Sequence, residues 1–406
     1  MRRPRPLKGR TVASTTSRRT GESGAFKRTL TRRSTLTLIG AAGVAALAFR
    51  LNAEETEAAG AQEAGVQAAA GQSLSALAAQ ANIIFGASIG GEVFTDQPYF
   101  DLYLNHAKIV TSDLVLKLAI LRPDRGPARY EGADALVDFA QANHMQFRGH
   151  CLVWNEHNPK WLEQLGKADI GAFMDRHIDE TVGRYARRLH SWDVVNEPFW
   201  PDHGEAGGFR KGPWYNAMGS AYIERALRRA ATADPSAKLV INEAFTERGD
   251  ALGLKVRAAM LRLIDDLQHR GAPLHAIGLE AHLQPQYAID DDGFVRFLEA
   301  IAARGLDIYL TELDIDDTSL PSEIGARDRA AARRVGEFLK RALSVPAVRI
   351  VECWQLSDRY SWYADPQMLR SRPNGDLPRP LPFDRYSNPK LMHQAMADAF
   401  KTRARF

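Results

Sequence analysis

The chain has 406 residues, 53 Lys and Arg against 49 Asp and Glu, a formal net charge of +4, 45% hydrophobic residues and two cysteines. That is enough chain for one large α/β barrel or two ordinary domains, and the composition excludes a disordered chain and a multispanning membrane protein. Two cysteines exclude a disulfide-stapled scaffold and a multi-cysteine zinc module.

The charge is uneven. Residues 1–73 carry 12 Lys/Arg against five acids, or +7, which leaves −3 on the remainder. The basic excess belongs to the N-terminus, so the rest of the chain gives no reason to expect a nucleic-acid partner. Arg32-Arg33 is followed at once by an uncharged stretch, Ser34 to Phe49, and later by the small residues Ala58-Ala59-Gly60-Ala61. A basic region, a short apolar run and then small residues is the layout of an export signal of the twin-arginine type. The run falls short of the roughly 20 residues that a membrane span needs. The expectation is a bacterial export leader over 1–61, with cleavage placed after Ala61, and an Ala/Glu/Gln-rich linker over 62–73. The mature product is then periplasmic or secreted, monomeric, and free of the membrane once the leader is removed. Uncleaved, the same segment would act as an anchor.

From Leu74 onward short β-branched runs alternate with amphipathic stretches. The expected strands are Ile83–Ile89, Lys108–Val115, Met145–Val153, Ser191–Val195, Lys238–Ile241, Ala276–Leu279, Asp307–Leu310 and Arg349–Trp354. Helical patterns lie between them, among them Ala133–Asn143, Ile170–Leu189, Ser220–Thr232, Leu252–Arg270, Gly293–Arg304 and Arg327–Leu343. Eight strand–helix units over 74–406 read as a single (β/α)8 TIM barrel. A doubly wound open sheet is the rival, but Phe85-Gly86-Ala87-Ser88-Ile89-Gly90-Gly91 lacks the GxGxxG spacing after the first strand.

In such a barrel the active site sits at the C-terminal ends of the strands. Six expected strands end in groups able to do chemistry or bind sugar. These ends are His150 to Asn155, Asn196-Glu197, Asn242-Glu243, Glu280-Ala281-His282, Glu312-Leu313-Asp314 and Trp354 to Asp358. Glu197 on the fourth strand and Glu312 on the seventh lie across the mouth from each other. Hydrolysis of a glycosidic bond needs such a pair, one to protonate the leaving oxygen and one to attack the anomeric carbon or activate water. Glu312 stands near Asp314, with His282 on the adjacent strand, and a His held by one carboxylate can keep another ionised, as suits a nucleophile. Glu197, in a partly apolar setting near an anionic Glu312, suits the acid/base. Asn196 beside it suits a sugar 2-hydroxyl. Trp154, Trp354 and Trp362 offer indole faces to sugar rings, whereas Trp161 and Trp214 are expected to be structural.

Several of these runs resemble family 10 of the glycoside hydrolases, the retaining endo-1,4-β-xylanases. They are Gly149-His150-Cys151-Leu152-Val153-Trp154, Trp192-Asp193-Val194-Val195-Asn196-Glu197, Ile277-Gly278-Leu279-Glu280-Ala281-His282, Ile308 to Asp314 and Trp354 to Asp358. The resemblance covers the chain from Leu74 to its end. It implies a β-1,4-xylosidic substrate in xylan or a xylo-oligosaccharide, no cofactor and no metal, with Glu197 as acid/base and Glu312 as nucleophile. Lys117, His150, Trp154, Asn196, His282, Trp354 and Trp362 would line the glycone subsites, with Asp113 at the second-strand position before the lysine. The chain also departs from the family. Asp113-Leu114 replaces Glu-Asn, Leu118 replaces Trp, Asn155 replaces His, Glu280 replaces Gln, and Asn242-Glu243-Ala244 replaces Asn-Asp-Tyr.

Alternatives are another β-1,4-glycanase or an exo-acting β-glycosidase on the same barrel, and a non-catalytic carbohydrate-binding barrel. A metal-dependent hydrolase has less support, since the 11 histidines form no HxH or HExxH cluster. Cys151 and Cys353 fall on strands that are not neighbours, so free, buried thiols are expected.

Overall fold

A computed structural model describes residues 72–288, 290–365 and 375–405. The leader expected over 1–61, and all of the linker but its last two residues, lie outside the described residues. Ser73 is the N-cap of helix Leu74–Gln80, its hydroxyl accepting the amide of Ala76.

Eight strands form the barrel: β1 (Ile84–Ile89), β2 (Ile109–Ser112), β3 (Gln146–Trp154), β4 (Ser191–Asn196), β5 (Lys238–Glu243), β6 (Ala276–Leu279), β7 (Asp307–Ile315) and β8 (Val348–Cys353). All ladders are parallel, in the order β6-β5-β4-β3-β2-β1-β8-β7, and β6 pairs with β7 to close the ring. A two-residue strand, His282–Leu283, pairs beside the far end of β7 and puts His282 opposite Asp314. Strands buried on both faces need unbroken apolar runs, as in Leu239-Val240-Ile241, rather than alternation. Gly149 serves close approach: a Cβ there would sit 2.1 Å from the Trp192 indole on the next strand.

Helices clothe the ring. In Ala221–Ala233 the buried residues Tyr222, Ile223, Ala226, Leu227 and Ala230 form one stripe against the strands. Asp250 caps Ala251–His269 by accepting the amide of Gly253.

Several expected boundaries moved, and three of them have a physical cause in the structure. The second strand ends at Ser112, three residues before Val115, because the chain turns out at Asp113, where Gln355 holds the carboxylate, and leaves Leu114 exposed. The helix expected to reach Leu189 stops at Arg184; Arg187 takes a left-handed φ of 65° and its amide is held by Asp234 to set up β4. The seventh strand continues past Leu310 to Ile315, so Glu312 and Asp314 stand on the strand itself.

Inside the barrel a polar layer spans four strands. Arg148 on β3 donates to Glu352 of β8 and Asp193 of β4, each at 2.5 Å, and Thr111 of β2 donates to Glu352 at 2.9 Å. All four side chains are buried. Cys151 and Cys353 are free, buried thiols, as expected.

Candidate active site

The C-terminal ends of the strands enclose a cavity of about 740 Å3. Ten of the eleven site residues expected from sequence line it: Asp113, Lys117, His150, Trp154, Asn196, Glu197, His282, Glu312, Trp354 and Trp362. The eleventh, Asp314, is fully buried and holds His282. Non-glycine residues with left-handed φ stand just past four strand ends: Glu197 at 45°, Phe245 at 63°, Ala281 at 59° and Gln355 at 77°. Such conformations are uncommon, and their concentration here marks a mouth whose geometry is imposed by the surrounding fold.

Glu312 is gripped from two sides. His282 Nε2 lies 3.3 Å from its Oε2, and Asn242 Nδ2 donates to its Oε1 at 2.8 Å. Burial alone would raise its pKa, but the His282 hydrogen bond and the positive charges of His282 and Lys117 bring it down to about 2. His282 Nδ1 sits 2.8 Å from Asp314 Oδ1. Burial disfavours the imidazolium, yet Asp314 and Glu312 together hold its pKa well above the ordinary value. His282 therefore carries a proton on each ring nitrogen and donates to both carboxylates. Trp362 Nε1 donates to Asp314 Oδ2 at 2.7 Å, so the same indole that lines the cavity fixes this relay.

Glu197 follows β4, its amide donating to Asn242 O at 2.8 Å. Burial raises its pKa; Arg210 opposes the rise, while Glu156 and Glu312 add to it. Asn196 Oδ1 accepts from Asn242 Nδ2 at 2.9 Å, which leaves the Asn196 amide nitrogen 3.4 Å from Glu197 Oε1. Asn242 thus ties the two carboxylates into one framework: it bonds Glu312 directly and Glu197 through Asn196.

On the other side, Lys117 Nζ lies 5.4 Å from the Trp154 ring centroid and 5.2 Å from that of Trp354. His150 is anchored through Nδ1 to Asp193 at 2.9 Å, and its ring meets Trp354 edge-on at 5.4 Å. Trp154 stacks on His157 at 4.8 Å. Trp214 is wholly buried and donates to the Trp154 carbonyl at 2.8 Å; Trp161 donates to Arg122 O at 3.1 Å. Both are structural, as expected.

The departures divide in two. Asn155 faces away from the cavity, bonding Tyr222 and the amide of Tyr215, and Leu118 is buried in the core. Leu114, Ala244 and Glu280 line the cavity. Glu280 is buried 3.7 Å from His282 Nε2 and 3.2 Å from Asn242 Nδ2. Burial and the neighbouring Glu312 and Glu197 push its pKa well above the usual carboxyl range. Among the described residues, Glu280, His282 and Glu312 bring one possible ligand atom each within 4.8 Å of one another. His282 could serve a metal there only by surrendering its Nε2 proton and its bond to Glu312.

In the network that holds the two carboxylates, three residues were not anticipated. Asn242 was visible as a strand-end residue without a role. Arg210 and Glu156 carried no motif: Arg210 returns to Glu197 because the loop folds back through a Phe199–Phe209 bridge, with left-handed Gly204, Gly207 and Gly208 making the turn. That glycine cluster was the available signal.

The model of glycosyl hydrolase family 10 matches residues 73–399. Endo-1,4-beta-xylanase B of Thermotoga neapolitana is 31% identical over 331 residues, covering 80% of this chain and 90% of that protein. Among solved structures, native xylanase 10B from Thermotoga maritima superposes with a TM-score of 0.73 at 28% identity, over 82% of this chain and 99% of that one. Xylanase 10B from Thermotoga petrophila RKU-1 in complex with xylobiose gives the same TM-score at 29% identity, over 82% and 98%. This chain belongs to glycosyl hydrolase family 10.

Proposed function

We propose that this chain cleaves β-1,4-xylosidic bonds within xylan by double displacement, with Glu312 as nucleophile and Glu197 as acid/base. The observation that carries the role assignment is the opposite bias on two carboxylates in one cavity. His282 keeps Glu312 ionised, and burial lets Glu197 hold its proton to higher pH than an exposed Glu. In the first step a Glu312 oxygen attacks the anomeric carbon, the glycosidic C–O bond breaks, and the Glu197 proton passes to the leaving oxygen. In the second, Glu197, now a carboxylate, takes a proton from water; the hydroxide attacks the anomeric carbon and the bond to Glu312 breaks. Two inversions give retention. Asp113, Lys117, His150, Trp154, Trp354 and Trp362 bind the sugar chain, and Asn196, placed beside Glu197, meets the 2-hydroxyl. Xylan as substrate is supported by the relatives named above, one of which holds xylobiose.

The leader reading, carried by Arg32-Arg33 ahead of Ser34–Phe49, puts the product in the periplasm or outside the cell. Exchanging Arg32-Arg33 for Lys-Lys should trap activity inside an expressing bacterium, and continued export would reject that reading.

Two variants test the roles. Glu197→Ala should keep the first step on substrates with good leaving groups and be rescued by azide with retained configuration. Glu312→Ala should lose both steps. The reverse pattern would overturn the assignment. A digest of xylan beside cellulose should release xylo-oligosaccharides of mixed length and leave cellulose intact; monomer alone, or cellulose cleavage, would favour the exo-acting or broader glycanase reading.

A further inference from the structure

The mechanism above makes no use of Arg210, although its guanidinium is the group bonded most closely to Glu197. Arg210 is 3% exposed. Its Nη2 donates to Glu197 Oε2 at 2.6 Å and its Nε to the Glu197 carbonyl at 3.0 Å, so it grips both side chain and backbone. Its Nη1 bonds Glu156, whose side chain is 49% exposed at the cavity rim. The Trp200 ring lies 4.9 Å from the guanidinium carbon, and the Arg210 amide donates to Pro198 O at 2.8 Å. The cation is therefore locked in place by four contacts besides the one to the Glu197 carboxylate.

Glu197 must be protonated to cleave and ionised to activate water, and a fixed cation favours the ionised form. The other groups facing Glu197 are Glu156 from the loop after β3, Glu243 from β5, Glu280 and His282 from beyond β6, and Glu312 from β7. Of these only His282 shares the sign of Arg210, and it is engaged by Asp314 and Glu312. Without Arg210, Glu197 would face a surplus of acids. We propose that Arg210, shared between Glu197 and Glu156, is a positioning residue that sets the protonation state of the acid/base and hence the alkaline limit of the reaction. Glu156 supplies the second anion that keeps Arg210 in place while Glu197 carries its proton. The inference rests on the reading of Glu197 as acid/base.

The test is the pH profile of kcat/KM on xylotetraose, whose poor leaving group needs the acid. Arg210→Met should move the alkaline limb up by about 1 to 3 pH units, the usual effect of losing an adjacent opposite charge. Arg210→Lys, which keeps the charge, should hold the limb within about half a unit of wild type. Glu156→Gln should move it down, because Arg210 is then left wholly to Glu197. An upward limb in Arg210→Met that Arg210→Lys restores is something a merely structural role for Arg210 would not produce. Should Arg210→Met fail to fold, Arg210→Gln, which removes the charge but keeps a hydrogen-bonding side chain, carries the test. An unmoved limb in Arg210→Met or in Glu156→Gln, or a shift of the same sign in both, overturns the inference. Azide rescue of Glu197→Ala separates the two readings: rescue with an unmoved limb rejects the role of Arg210 alone, and absence of rescue rejects the acid/base assignment.

Discussion

Two layers of the same barrel bury carboxylates, and they treat them differently. In the interior layer Arg148 stands between Asp193 and Glu352, with Thr111, Ser191 and His150 completing the bonds, so each charge has its partner within reach. At the mouth Glu197, Glu280 and Glu312 crowd around His282, Asn242 and Arg210, and acids outnumber cations. The interior layer meets its charge by pairing, although burial still raises the pKa of Glu352. The mouth resolves it by protonation: Glu312 stays ionised, while Glu197 and Glu280 hold protons to higher pH. Opposite biases on neighbouring carboxyls are what the proposed acid and nucleophile need. Burial alone does not distinguish a catalytic acid from a structural one; the balance of partners does.

The contrast can be broken at either layer. The largest effect is expected at the mouth. Glu312→Gln should cut kcat/KM by about ten-thousand-fold or more, equivalent to at least about 5 kcal/mol of barrier, while the melting temperature holds. Steady-state kinetics beside a thermal melt read both, and a large loss of stability would place Glu312 with the structural layer. Arg148→Met should do the converse, lowering the free energy of unfolding in urea by about 3–5 kcal/mol because two buried carboxylates lose their cation. Unchanged stability would mean that the interior pairing contributes little.

Glu247, buried in the loop after β5, sharpens the rule for an acid outside both layers. Burial raises its pKa to about 7, against 4.5 for an exposed Glu. Its contribution is full below the unfolded value and is lost as pH rises through 7, since only the unfolded chain releases the proton easily. Glu247→Gln removes that penalty and should stabilise the protein at pH 8 by on the order of 3 kcal/mol relative to wild type. A urea titration at pH 4 and pH 8 would show it, and an equal difference at both would refute it. The smallest effect is expected at Glu280. As a protonated acid it resembles an amide, so Glu280→Gln should alter kcat by less than about 3-fold at the acid end of the pH profile and depart from wild type only toward its alkaline end. A loss at low pH would show that its charge is used.

Much of this was legible because the informative residues ride on strands. Glu197 and Glu312 sit at or near strand ends, where eight parallel strands can only converge, and Lys117, His150 and the tryptophans sit on the same rim. Boundaries slipped where a side chain beyond the local window decided them, as Gln355 does for Asp113 and Asp234 for Arg187. Arg210 was invisible because its bond to Glu197 depends on how a 13-residue loop returns, which no periodicity records. The interior layer was likewise hidden, since Thr111, Arg148, Asp193 and Glu352 meet only through the register of four strands. Asn155 errs in the other direction: it looked like a subsite change and is absorbed by packing against Tyr222.

The central claim is that Glu312 forms the covalent bond and Glu197 moves the proton. Trapping with a 2-deoxy-2-fluoro β-xylobioside bearing a dinitrophenyl leaving group tests it most directly, because the fluorine slows breakdown of the glycosyl-enzyme. Peptide mapping by mass spectrometry should place one xylobiosyl adduct on Glu312 and none on Glu197. An adduct on Glu197, or turnover with inverted configuration and no adduct at all, would contradict it.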